Sequence, residues 1–132
     1  MGPLNGIKIL EFSGIGPGPY CGMLLADLGA DVIRISKNES RGLNNKFDIH
    51  NRSKRSMTAD LKNKDTINEI LKLIDQMDVI FEGYRPGVME KLGLGPNVCL
   101  ERNPKLVYGR MTGWGQSGPM SHLAGHDINY IG

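Results

Sequence analysis

The sequence predicts an α/β fold, a Rossmann-like parallel sheet flanked by helices. Short apolar runs of strand length alternate with segments whose apolar residues recur at helical spacing, and glycines cluster where the runs end. Size fits this reading. A chain of 132 residues can bury one core, and no internal repeat or compositional break divides it. We therefore expect a single domain over residues 1–132.

The elements follow in order. Residues 7–12 are a mostly apolar run ending at Ser13-Gly14, the size of a buried strand. Residues 19–28 read as a helix with Leu24, Leu25 and Leu28 lining one face, and Gly29 stands where a helix end favours a left-handed residue. Residues 32–35 are the next buried strand. Residues 36–55 lack periodicity and are rich in Asn, Ser, Lys and Arg, so they read as a loop of a length that is often functional. Residues 57–61 suit a third strand. After Asn63, the residues Ile67, Ile70, Leu71 and Ile74 mark the clearest helix in the chain. A strand over 79–81 leads to two short helices, over 88–92 and 96–102. Pro96 falls in a first helical turn and Pro104 just beyond a helix end, as proline prefers. Residues 106–111 complete the sheet.

Composition narrows the function classes. With 39% hydrophobic and 23% charged residues the chain reads as soluble and globular, not disordered. Its apolar stretches fall short of the roughly 20 residues a membrane span needs, so no membrane partner is expected. No apolar core of signal-peptide length follows the N-terminus. A net charge of +2 argues weakly for an anionic ligand and against nucleic acid as a partner. Cys21 and Cys99 have no CxxC spacing, which favours a reduced, cytoplasmic protein with neither a disulfide scaffold nor a metal site.

Ligands of such sheets bind beyond the carboxyl ends of the strands. Three groups of residues belong there. Gly14-Ile15-Gly16-Pro17-Gly18-Pro19 lacks the spacing of a dinucleotide fingerprint, and its prolines remove donors that would cradle phosphate. A tight connector that touches some ligand is the better reading. Lys37, Arg41, Arg52, Lys54, Arg55, Arg85 and Lys91 form a basic set. Any one of them alone reads as solvated surface, but together they flank strand ends where a phosphate-bearing ligand needs cations. The third group centres on His126. A lone histidine is more often structural, and His50 and His122 fit that reading. His126 instead follows Gly125 and precedes Asp127, an acid able to cap a following helix, whose first N–H groups could stabilise an oxyanion. Imidazole can take a proton at neutral pH.

The runs GPGPYCGMLLADLGADVIRI, NRSKRSMTADLK, DVIFEGYRPGVMEKLGLGP and NPKLVYGRMTGWGQSGP, followed by AGHDINYI, resemble the α-methylacyl-CoA racemases of the family III CoA-transferase superfamily. The resemblance covers residues 4–131 and is most specific at GHDINY. It implies a CoA-binding α/β domain that corresponds to the N-terminal part of a longer protein, truncated relative to full-length members. It also implies a reaction, epimerisation at the carbon α to a CoA thioester through an enolate. His126 is then one of two acid–base groups, the other being an aspartate beyond Gly132. Asp127 is adjacent in sequence and suits a capping or orienting role.

CoA-binding positions carry over as part of that resemblance. Lys37 stands where members usually have an arginine, so the cation is kept and bidentate phosphate binding is lost. Ser36-Lys37-Asn38 also lacks the acid and the proline that usually flank the cation. Thr58, Ala59, Asp60 and Leu61 match the stretch whose backbone lies along the adenine. Tyr84, Arg85 and Lys91 match the region around the nucleotide and pyrophosphate. Gly125, Asp127, Ile128, Asn129 and Tyr130 surround the thioester with His126. The implied partner is an acyl-CoA thioester, with no cofactor beyond the CoA of the substrate, and the full-length protein is expected to be a homodimer. Two rival functions share these residues: a CoA-transferase with a carboxylate nucleophile, and a non-catalytic CoA-binding fragment.

Overall fold

The computed structural model describes residues 2–12, 14–37 and 48–132. Its elements are β1 (Lys8–Phe12), α1 (Pro17–Asp27), β2 (Asp31–Ser36), a 3-10 turn (Ile49–Asn51), β3 (Arg55–Thr58), α2 (Lys64–Ile74), β4 (Val79–Glu82), α3 (Val88–Lys91), α4 (Pro96–Arg102), β5 (Val107–Arg110) and α5 (Asp127–Ile131). The strands form one sheet in the order β3-β2-β1-β4-β5, every neighbouring pair parallel. This is the expected Rossmann-like sheet. The chain builds outward from β1 to β3, then crosses back to add β4 and β5 on the other side. The carboxyl ends of β1 and β4 therefore flank the point where the strand order reverses, the place such sheets bind ligands.

The inner strands are apolar on both sides because both faces are covered. Leu10, Phe12, Ile35 and Ile80 join Ile70 and Ile74 of α2, Met89 of α3 and Cys99 of α4 in the main core. Ile9, Val32 and Phe81 face the other way and pack with Ala26 of α1 and with Ala30. Helix α2 starts where Asn63 accepts hydrogen bonds from the N–H groups of Asp65 and Thr66. Ile70 and Ile74 are 1% and 0% exposed, and burying each contributes about 1.5–3 kcal/mol. The two cysteines are free thiols, and burial pushes Cys99 up to about 11, so it behaves as a core residue. Among the described residues, no helix is long and apolar enough to cross a membrane.

Three expectations need correction. Helix α1 turns Gly22, Met23 and Ala26 to the sheet, while Leu24 and Leu28 are exposed and only Leu25 packs at the core margin. The small residues let the helix sit close to the sheet, and the bulkier leucines are left on the outer side. Strand β3 spans Arg55–Thr58 and not 57–61, because the chain turns at Ala59 and the Asp60 carboxylate accepts the Lys62 N–H at 3.0 Å. The loop read over 36–55 contains a 3-10 turn at Ile49–Asn51 and the first residue of β3. Its residues 38–47, Arg41 and Asn38 included, lie outside the described residues. The left-handed end of α1 is as expected, with Gly29 at φ +100°.

Tyr20, Leu24 and Leu28 form an exposed stripe along α1, with exposed Ile49 on the 3-10 turn that packs against this helix. A contiguous apolar stripe promotes association. The chain is expected to self-associate in concentration-dependent light scattering. Leu24→Lys combined with Leu28→Lys should abolish the effect and change stability by about 0.5 kcal/mol or less per site, as exposed substitutions do.

Candidate active site

Three loops meet at the carboxyl edge, each fixed by a different device. The first, after β1, enters α1 through Gly16, with Pro17 at the first helical position. Pro17 and Pro19 lack N–H groups, so this turn offers few donors to an anion. The connector reading suits it better than a phosphate cradle.

The second loop follows β4 and is held by a charge network. Glu82 is 1% exposed; its carboxylate accepts the Tyr84 N–H at 2.7 Å and the Arg110 Nε at 3.1 Å. Arg110, the last residue of β5, also donates to Glu90 of α3 at 2.8 Å. Burial raises the Glu82 carboxyl above its ordinary value, against the pull of these bonds, while the Arg110 guanidinium holds Glu90 low. Tyr84 packs its ring against the main core, and burial raises its hydroxyl. Arg85, exposed, donates to the His122 carbonyl at 2.7 Å and so ties this loop to the third.

The third loop leaves β5 and ends at α5. The N-cap of α5 is His126 itself, in extended backbone, and Asp127 is the first helical residue. Asp127 is thus not the cap that the sequence suggested. Asn129 does that work from inside the helix, its side-chain oxygen accepting the His126 N–H at 2.8 Å. The Asn129 N–H donates to the His126 carbonyl, also at 2.8 Å. Both bonds fix the histidine backbone where the chain turns, and the side chain is exposed.

The basic set divides. Arg52 pairs with Asp27, and Arg55 with Asp31 at 2.5 Å, both near the amino edge of the sheet. Lys54 donates to Glu11 Oε2 at 2.6 Å and to the Pro19 carbonyl at 2.9 Å, its side chain 1% exposed. Burial raises the Glu11 carboxyl although Lys54 pulls it down. Gly22 lies directly over this pair, where any Cβ would overlap the Glu11 carboxylate. These three cations are committed to carboxylates. Lys37 after β2 and Arg85 after β4 remain at the carboxyl edge, and Lys91 ends α3, all exposed.

The other anticipated positions divide by side chain and backbone. Thr58 and Asp60 are exposed at the end of β3. Ala59 is buried and Leu61 packs against the core, so only their backbone can line a ligand. The Ala59 N–H already donates to the Ser36 carbonyl at 2.9 Å. Ile128, Asn129 and Tyr130 are exposed on α5 beside Asp127, and Gly125 is half-buried against the Tyr130 ring. Sequence reading missed Glu82, Arg110 and Trp114. A strand that ends in an acid beside one that ends in a base was the available signal for the first two, but pairing them required knowing that β4 and β5 are neighbours.

A parallel sheet whose strand order reverses, with helices packed on both faces, defines a doubly wound α/β domain, and the exposed cations and the histidine at a helix start mark its candidate ligand site. The chain belongs to CoA-transferase family III, whose family model matches residues 4–132. It is 47% identical over 128 residues to "Alpha-methylacyl-CoA racemase" of Mus musculus, covering 97% of this chain and 32% of that protein. It is 34% identical over 143 residues to "Succinate--glutarate CoA-transferase" of Agrobacterium fabrum, covering 95% of this chain and 36% of that protein. The crystal structure of Rv3272 from M. tuberculosis superposes with a TM-score of 0.89 at 39% identity, over 97% of this chain and 37% of that one. The chain thus spans about a third of the length of the curated relatives it matches.

The Lys54–Glu11 pair yields a stability test. Lys54→Met strands a buried carboxylate and should cost about 3–5 kcal/mol by chemical denaturation. Adding Glu11→Gln should recover most of that loss. If the double variant is no more stable than Lys54→Met alone, the two side chains do not act as a pair.

Proposed function

We propose that this chain is the CoA-binding and first acid–base portion of a 2-methylacyl-CoA racemase, an isomerase acting on the carbon α to the thioester. One observation carries the reading: an exposed histidine, backbone-fixed at the start of α5, sits on a loop tied by Arg85 to the segment after β4, while Lys37 is exposed after β2. The nucleotide and pyrophosphate of an acyl-CoA are anions suited to those cations. The thioester acidifies its α-proton, and neutral imidazole is suited to remove it. As the Cα–H bond breaks, its electron pair moves toward the thioester oxygen. We assign the developing oxyanion to the N–H groups of Asp127 and Ile128 in the first turn of α5. Inversion then requires a second acid on the opposite face of the α-carbon. Asp127 is the next residue in the chain after His126, and the resemblance to the racemases implies that the second acid is an aspartate further along.

In the gene product that carries this segment, His126→Ala should slow exchange of the substrate α-proton with deuterated solvent by roughly 10²–10⁴-fold. NMR on each enantiomer reads this directly. Exchange at the wild-type rate would remove His126 from the mechanism.

Affinity for CoA thioesters should come mostly from the nucleotide half, so calorimetry should find CoA binding tighter than the free acyl acid. Tighter binding of the free acid would contradict the role given to Lys37, Arg85 and Lys91. The similarity to the succinate–glutarate transferase favours one rival, CoA transfer to an acid acceptor. CoA transfer to a dicarboxylate without α-proton exchange would establish that reading instead.

A further inference from the structure

We propose that Trp114 is a positioning residue for His126, closing the neck of the loop from which the histidine emerges. The inference rests on the acid–base role given to His126 above, but its geometry is independent of the substrate. The segment over 111–126 leaves the end of β5, where the Met111 N–H donates to the Glu82 carbonyl at 2.9 Å, and doubles back on itself. Its two ends meet at Gly113 and Gly125. A Cβ built on Gly113 would lie 3.5 Å from the Gly125 Cα. Compact loops whose ends nearly touch are held by their own side chains.

Trp114 supplies two of the holding contacts here. The indole N–H crosses the neck to the Ala124 carbonyl at 3.2 Å, two residues before the histidine. Its ring lies against Tyr130 of α5, with centroids 5.9 Å apart and planes inclined at 43°. The Tyr130 hydroxyl end occupies the space that a Cβ on Gly113 or Gly125 would need. Both glycines are therefore small because a ring is seated on them. The Thr112 hydroxyl accepts the Gly115 N–H at 3.0 Å and fixes the turn that presents the indole.

The histidine backbone is thus gripped from both sides. Asn129 holds its N–H from the helix, and Trp114 holds the chain that leads into it at Ala124. Arg85 adds a third hold at the His122 carbonyl. Proton transfer depends steeply on placement, and a displacement of about 1 Å can cost about 10²-fold. The indole touches neither reacting atoms nor CoA in this scheme. It acts through the chain at Ala124 and the ring of Tyr130.

The test uses Trp114→Phe, which keeps an aromatic ring near Tyr130 and loses the N–H, together with Gly125→Ala, which displaces the tyrosine. In the gene product carrying this segment, both variants should lower kcat for α-proton exchange by about 10–100-fold, and Trp114→Phe should leave KM for the CoA thioester within about twofold. Trp114→Phe should retain the wild-type melting temperature, which separates positioning from unfolding. A Trp114→Phe variant with wild-type kcat, or with KM and kcat falling together, overturns the proposal. A second readout needs no turnover: the imidazole NMR signals of His126, assigned by their loss in His126→Ala. They should move in Trp114→Phe and in Gly125→Ala. Unchanged signals overturn the proposal whatever the activity. A wild-type protein that exchanges no α-proton, with signals that still move in the two variants, refutes the racemase reading and leaves the positioning role of Trp114 standing.

Discussion

The parallel pairing of β1 with both β2 and β4 is the constraint from which the site follows. Parallel neighbours cannot be joined by a hairpin, so each connection must cross a face of the sheet and return to the same edge. Every strand then ends at one edge, and the loops after β1, β4 and β5 are brought together although they are far apart in sequence. The strand order reverses at β1, and sheets of this kind bind ligands beside such a point. A slip of one residue in β1 would turn Leu10 and Phe12 away from the main core and put Glu11 into it, so burial holds the register.

Charge pairing then decides which cations can meet a ligand. A buried carboxylate is tolerated only with partners, and Glu11 and Glu82 obtain theirs from Lys54 and Arg110. The first pair secures the connection before β3 to the opening turn of α1, because Lys54 also holds the Pro19 carbonyl. The second fixes the loop after β4, because Glu82 holds the Tyr84 N–H. Both pairs set loop positions as well as satisfying charge. They leave Lys37 exposed after β2 and Arg85 exposed after β4, and Arg85 holds the loop that carries the histidine. That division explains why a basic set that looked uniform in sequence is not uniform in space.

Much of the fold was legible because its signals are local. The apolar runs of β1, β2 and β4, the Asn63 cap and the Ile67–Ile74 spacing of α2, and Gly29 after α1 each state their conformation within a few residues. The errors arose where the deciding contact was distant. Leu24 and Leu28 share a helix face with the right spacing for a core, yet Gly22 and Ala26 face the sheet. The amphipathic pattern reports that a face exists, and packing selects which face is buried. Asp127 has the residue type of a cap, but Asn129 reaches back to His126 and makes the bond. Trp114 lies in a glycine-rich stretch with no periodicity to mark it, and its role depends on contacts with Ala124 and Tyr130.

By itself the sequence determined the α/β class, the order of strands and helices, family membership and the candidacy of His126. These depend on short-range periodicity, turn chemistry and motif, all of which are written in consecutive residues. The tertiary structure alone decided which of the basic residues are neutralised, which face of α1 is buried, and how the His126 turn is gripped. Those outcomes depend on side chains separated by tens of residues, such as Glu11 and Lys54 or Arg85 and His122. A chain written in one dimension does not record such distances until its strands have paired.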